Sequence, residues 1–130
     1  MTTSFPTVVI ADASPARSAG LVRCLQSNGW RVLEAGSGRQ TVEAFLKWHV
    51  DVCLVHRALA DGDGFALLPI VRDLARHVRI VAVSDAGGDD VEMQARSTGV
   101  VFYGVEPVDA RMLLVAIESA VRRPAQVQAG

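Results

Sequence analysis

An α/β fold with a parallel five-stranded sheet follows from three observations. Five apolar runs recur at regular spacing: Thr7–Ala11, Arg31–Ala35, 51–55, 79–83 and 100–103. Segments with helical periodicity separate them, the pattern of successive βαβ units. The first run, Thr-Val-Val-Ile-Ala, shows no polar alternation, as expected of a strand covered on both faces.

The elements follow in order. After the first strand and Asp12, Ser14-Pro15 opens a helix, with Ser14 as N-cap and Pro15 at the first helical position. Leu21, Cys24, Leu25 and Asn28 share one face of it, and Asn28-Gly29 ends it. The second strand leads through Gly36-Ser37-Gly38 into a helix with Val42, Phe45, Leu46 and His49 as its core stripe. The third strand stops before His56, and the turn-rich stretch 60–64 precedes a helix over 65–77. Pro69 within that helix predicts a kink or a late start. The fourth strand ends at Ser84, a Gly-rich loop follows at 86–90, and a weakly anchored helix spans 91–98 up to Gly99. After the fifth strand, Asp109 caps a last helix with Leu113, Leu114, Ile117 and Val121 on its buried side.

Composition sets the outer limits. The 130 residues suit one domain over 1–123, with 124–130 as a frayed tail. Half the residues are hydrophobic and 21% are charged, which fits a folded chain. A net charge of −1 gives no general attraction to nucleic acid or to an anionic membrane. No apolar run approaches the ~20 residues that span a bilayer, and MTTSFPT lacks the features of a secretory signal. A cytoplasmic location is expected. Cys24 and Cys53 then read as reduced core residues.

Right-handed crossovers and a flavodoxin-like strand order, 2-1-3-4-5, place the ends of strands one and three side by side. Chemistry in such sheets gathers at the carboxyl ends of the strands. Asp12, His56, Ser84 and Glu106 all fall there.

At this level the chain resembles the receiver domain of two-component response regulators, from about Val8 to Val121. Ile10-Ala11-Asp12-Ala13-Ser14-Pro15-Ala16-Arg17 resembles the family's first-strand acidic motif with its following Pro and Arg. Asp63-Gly64 matches the Asp-Gly that opens the third helix. Ser84 matches the hydroxyl residue after strand four, Tyr103 the switch aromatic, and Glu106-Pro107 the Lys-Pro step, which is cis in the family. The resemblance implies departures too. The phosphorylated Asp aligns with His56, the second metal-binding acid with Ala13, and the Lys with Glu106. Of five residues that run the phosphotransfer, Asp12 and Ser84 remain.

These departures have physical consequences. Aspartyl phosphorylation needs a carboxylate nucleophile, a divalent metal on oxygen ligands and a cation for the incoming charge. His56 and Ala13 remove the nucleophile and oxygen ligands. Glu106 brings the wrong sign, which at ~4 Å and an effective dielectric near 20 costs about 4 kcal/mol. The altered pocket of Asp12, Ala13, His56, Ser84 and Glu106 therefore implies no phosphoryl transfer, no cofactor and no metal. Two carboxylates beside His56 favour a charged imidazole. Zinc on Asp12, His56 and Glu106 is the weaker alternative, since the spacing is not a zinc motif. Asp61 and Asp63 read as turn and cap residues: the calcium-loop pattern fails at Ile70. Trp48 lies opposite Val42 and Leu46 and is expected at the surface.

The expected function is that of a stand-alone degenerate receiver, not an enzyme, acting through protein contacts with a histidine kinase or an output protein. In the family, helix 4, strand 5 and helix 5 form the contact and dimerisation surface, with Ser84 and Tyr103 as the switch pair. The aligned face holds Glu92, Arg96, Arg111 and Glu118. Their mixed charges suit either pairing across a twofold axis or a solvated surface. The rival expectation is a sensor of pH, ligand or metal that uses Asp12, His56 and Glu106.

Overall fold

The computed structural model describes residues 5–122. The tail expected over 124–130 lies outside the described residues. Five strands form one parallel sheet: β1 (Thr7–Ala11), β2 (Arg31–Ala35), β3 (Val52–His56), β4 (Arg79–Ser84) and β5 (Phe102–Val105). Their order is β2-β1-β3-β4-β5, so the flavodoxin-like arrangement is observed. Five helices connect and cover them: α1 (Pro15–Ser27), α2 (Gly38–Lys47), α3 (Leu68–Leu74), α4 (Asp89–Arg96) and α5 (Ala110–Arg122).

Along each strand the side chains alternate between two cores, although the sequence reads as unbroken apolar runs. Val9, Ala11, Cys53, Val55, Ile80 and Ala82 face Phe65, Leu68, Val71 and Ala95. Val8, Ile10, Val52, Leu54, Val81 and Val83 face Leu21, Leu25, Leu113 and Ile117. Because both faces are covered, polarity could not mark strand direction or face from sequence. Burial also pushes the Cys53 thiol well above its ordinary value.

Local chemistry sets the helix ends. Ser14 Oγ accepts the Arg17 N–H at 3.1 Å and Ser37 Oγ accepts the Gln40 N–H at 3.1 Å, each capping its helix. Of the two expectations at Pro69, the late start is observed: a 3₁₀ turn over Gly64–Leu67 precedes α3, and Pro69 lies in its first turn. Asp89, Asp90 and Glu92 favour the positive end of α4, which begins two residues before the expected start.

Several details differ from the sequence reading. β3 runs one residue further, because His56 pairs with Val83 in the ladder despite its polarity. β5 starts two residues later than expected and contains Gly104, which carries no apolar signal. A Cβ on Gly104 would sit 3.0 Å from the Phe102 ring, which would have to shift by a few tenths of an ångström to admit it. Leu46 is 70% exposed and His49 lies past the end of α2. That helix flanks the edge strand β2, so its buried stripe is narrow and centres on Thr41. Val121 is exposed and Ala120 takes its place beside Ile117. On α1, Val22 is buried, whereas Cys24 is half-buried and Asn28 is exposed.

Candidate functional site

The carboxyl ends of β1, β3, β4 and β5 meet on one edge of the sheet. Asp12 leaves β1 there and is 8% exposed. Its Oδ1 accepts the Ser14 N–H at 2.8 Å and Arg17 Nη2 at 2.5 Å, and its Oδ2 accepts Arg17 Nε at 3.0 Å. Two parallel charge-assisted bonds make this the strongest polar contact of the site. Hydrogen bonding to Asp12 raises the Arg17 guanidinium above its ordinary value, and the charges of Asp12, Glu106 and Asp85 add to it.

His56 ends β3 and is 1% exposed. Its Nδ1 accepts the backbone N–H of Ala58 at 2.9 Å. Acceptance at Nδ1 is the arrangement of a ring that carries its proton on Nε2. The charged imidazole expected from two neighbouring carboxylates would have to give up the Ala58 bond to hold its second proton. Nε2 lies 3.3 Å from Glu106 Oε1, but off the axis of a hydrogen bond. Glu106 hangs from the sheet edge by its own N–H, which donates to the Ser84 carbonyl at 2.8 Å. Its Oε2 is 3.7 Å from Arg17 Nε.

The structure therefore brings Asp12, His56 and Glu106 together. Ala13 lies at the exposed rim, with its N–H on the Ala58 carbonyl at 3.2 Å. Ser84 turns away: its hydroxyl donates to the Ala86 carbonyl at 2.6 Å and accepts the Ala86 N–H at 3.2 Å. The Tyr103 hydroxyl is buried and has no hydrogen-bond partner among the described residues. Its ring stands 6.3 Å from Phe65 and lies under Arg96, whose Cζ is 5.8 Å from the ring centre.

Beneath the charged residues is a cavity of about 60 Å³, lined by Ile10, Leu54, Val83 and Leu113 among others. Among the described residues, no group of three or more His, Cys, Asp or Glu is arranged to hold a metal ion. Both Asp12 oxygens already have donors, and an imidazole is a poor magnesium ligand.

Arg17 is the site residue that sequence reasoning quoted in a motif without giving it a role. The available signal was its spacing, five residues after Asp12 across the Ser14-Pro15 cap, which returns the guanidinium over the strand end. The Glu106-Pro107 bond is cis. Gly64 is forced by geometry, since a Cβ there would fall 2.1 Å from the His56 carbonyl oxygen.

The surface residues divide. Glu92 and Arg96 pair with each other at 2.7 Å within α4. Glu118 accepts Trp30 Nε1–H at 3.4 Å, which turns its carboxylate towards the α1–β2 corner. Arg111 is exposed at the start of α5. The same elements carry exposed Met93, Val105, Met112 and Val115, apolar candidates that the charge pattern did not reveal. Trp48 is exposed as expected, with Arg31 stacked 4.8 Å from its ring centre. No helix among the described residues is long and apolar enough to cross a membrane.

Comparisons with known proteins agree with this architecture. The chain is 24% identical over 122 residues to the transcriptional regulatory protein ZraR of Escherichia coli (strain K12), covering 94% of this chain and 28% of that protein. It is 32% identical over 110 residues to the alginate biosynthesis transcriptional regulatory protein AlgB of Pseudomonas aeruginosa, covering 84% of this chain and 24% of that protein. The chain thus spans about a quarter of the length of these curated relatives. The crystal structure of a CheY-like response regulator receiver domain protein from Methanospirillum hungatei JF-1 superposes with a TM-score of 0.87 at 20% identity, covering 98% of this chain and 100% of that one. The family model described as "Response regulator receiver domain" matches residues 8–118. With that match over most of its length, and with the strand order that the resemblance implied, the chain belongs to the response-regulator receiver domain family.

Proposed function

We propose that the chain is a degenerate receiver that signals by protein–protein contact without phosphorylation at the end of β3. One observation supports this most: the β3 end presents a buried His56 that accepts the Ala58 N–H and faces Glu106, while Arg17 engages both oxygens of Asp12. On this reading the phosphoacceptor Asp is replaced by His56, the second acid by Ala13 and the Lys by Glu106. The β3 nucleophile and an open metal site are lacking on this reading, and the pocket's cation, Arg17, is already engaged by Asp12. No enzymatic step, cofactor, nucleic acid or membrane enters the function.

The partners on this reading are a histidine kinase or an output protein of a cytoplasmic two-component pathway, with a homodimer as the self-association form. The contact surface is α4–β5–α5, where Met93, Val105, Met112 and Val115 add exposed apolar area to the charges of Glu92, Arg96 and Arg111. Beryllofluoride with magnesium tests the proposal. Tryptophan fluorescence and the amide spectrum are expected to stay unchanged, and acetyl phosphate to leave the mass unaltered. A phosphate-sized mass gain, or a beryllofluoride shift at residues 12, 56 and 106, would overturn it.

A second reading, a sensor using Asp12, His56 and Glu106, is favoured by the cavity below them and by the poorly aligned Nε2 of His56. Protonation of His56, or a small ligand, would break the bond from Ala58 and so disturb the segment after β3. A titration from pH 8 to 5.5 that moves α4 resonances supports this reading. Unmoved resonances reject it.

A further inference from the structure

We propose that Arg17 is the resident occupant of the pocket: its guanidinium takes the place of an external ligand and fixes the segment after β5 against α1. The proposal rests on the phosphorylation-free reading and names what holds that pocket in one arrangement.

The guanidinium closes the pocket from its rim, with a third of the side chain left exposed. Nη2 and Nε make a two-point fork on Asp12, and Nε also faces Glu106 Oε2 at 3.7 Å. The other Glu106 oxygen contacts His56. One planar cation therefore links the first turn of α1 to the ends of β1 and β5, and through Glu106 to β3. A guanidinium suits this role because its donors are fixed in one plane, whereas an ammonium is a point charge.

Charge points the same way. Asp12 and Glu106 line the cavity, Asp85 acts on Arg17 from nearby, and Arg17 is the single Arg or Lys among the lining residues described. Removal of the guanidinium would leave Asp12 and Glu106 without the cation that lies against both.

The occupant is also preorganised. Ser14 donates its N–H to Asp12 and accepts the N–H of Arg17, so the helix cap holds both partners in place before they pair. The effect reaches α5, because Val108, Ala110 and Leu113 line the same cavity as Arg17 and Glu106.

Chemical rescue in the full chain tests this. In the wild type, the Arg17 Nε–H signal is expected to exchange slowly. Arg17→Ala should shift the His56 ring and the Val108 and Leu113 methyls, and speed amide exchange over 104–109 by about tenfold. Millimolar methylguanidinium should reverse these changes, while methylammonium at equal concentration should not. Arg17→Gln, which keeps the chain length, should show the same shifts if the alanine variant is unstable. Rapid exchange of the wild-type Nε–H, unmoved His56 and Leu113 signals in the variants, or equal rescue by both cations would overturn the proposal. Such a failure, with the wild type inert to beryllofluoride, leaves the phosphorylation-free reading standing. A wild type that seats beryllofluoride and magnesium overturns that reading instead.

Discussion

Ala58 donates its backbone N–H to Nδ1 of His56 at 2.9 Å, two residues back along the chain. The bond makes His56 part of the turn that follows β3 as well as a member of the pocket. His56→Leu removes the acceptor and leaves a part-buried N–H unsatisfied. A loss of about 1–3 kcal/mol is expected in urea unfolding, with the denaturant slope unchanged. A loss under 0.5 kcal/mol would mean that the turn does not depend on the ring.

Gly64 packs against the backbone of the same residue. The Cβ of Gly64→Ala would meet backbone, not a flexible side-chain end. The 3₁₀ turn must shift, and a cost of about 3 kcal/mol or more is expected. Thermal unfolding of the variant checks this, and a midpoint within 2 °C of wild type would contradict it.

Asp61 supplies the clearest pH dependence. Its exposed carboxylate accepts the Gly38 N–H at 2.7 Å and the Arg39 N–H at 3.2 Å, and these bonds, led by that from Gly38, lower its value in the folded state. A lowered folded value gives stability that is present above the unfolded value of about 3.9 and lost as pH falls through the folded one. Relative to Asp61→Asn, the wild type should be more stable above pH ~5, with the gap narrowing below pH ~4. A gap that widens in acid would reverse the assignment.

Magnesium should have almost no effect. With both Asp12 oxygens engaged, 10 mM magnesium should raise stability by less than about 0.4 kcal/mol, the value for half-saturation at that concentration. The triple variant Ala13→Asp, His56→Asp, Glu106→Lys should become magnesium-dependent. A wild type stabilised by magnesium, or a well-folded triple variant that ignores it, would count against the pocket assignment.

Much of this was legible in the chain. Apolar runs and Ser/Pro/Asn-Gly punctuation marked the strands and the α1 cap, and the flavodoxin-like arrangement expected of them supplied the strand order and the edge on which Asp12, His56 and Glu106 meet. What escaped depends on tertiary geometry. Arg17 looked like an ordinary first-turn residue until the cap folded it back over β1. The ring state of His56 depends on Ala58, a local bond that charge counting cannot see. Leu46 and Val121 had the right periodicity, but their helices offer the sheet a narrower stripe than the hydrophobic pattern suggests. β5 was misplaced because Gly104 is silent in any hydropathy reading.

Ser84 bonds twice to Ala86, once in each direction. A hydroxyl occupied in this way is insulated from its surroundings. Rearrangement of the stretch leading into α4 would then break and remake bonds within three residues, without crossing the cleft. Whatever docks on that helix could reshape the stretch directly, with no message relayed from the opposite strand tips.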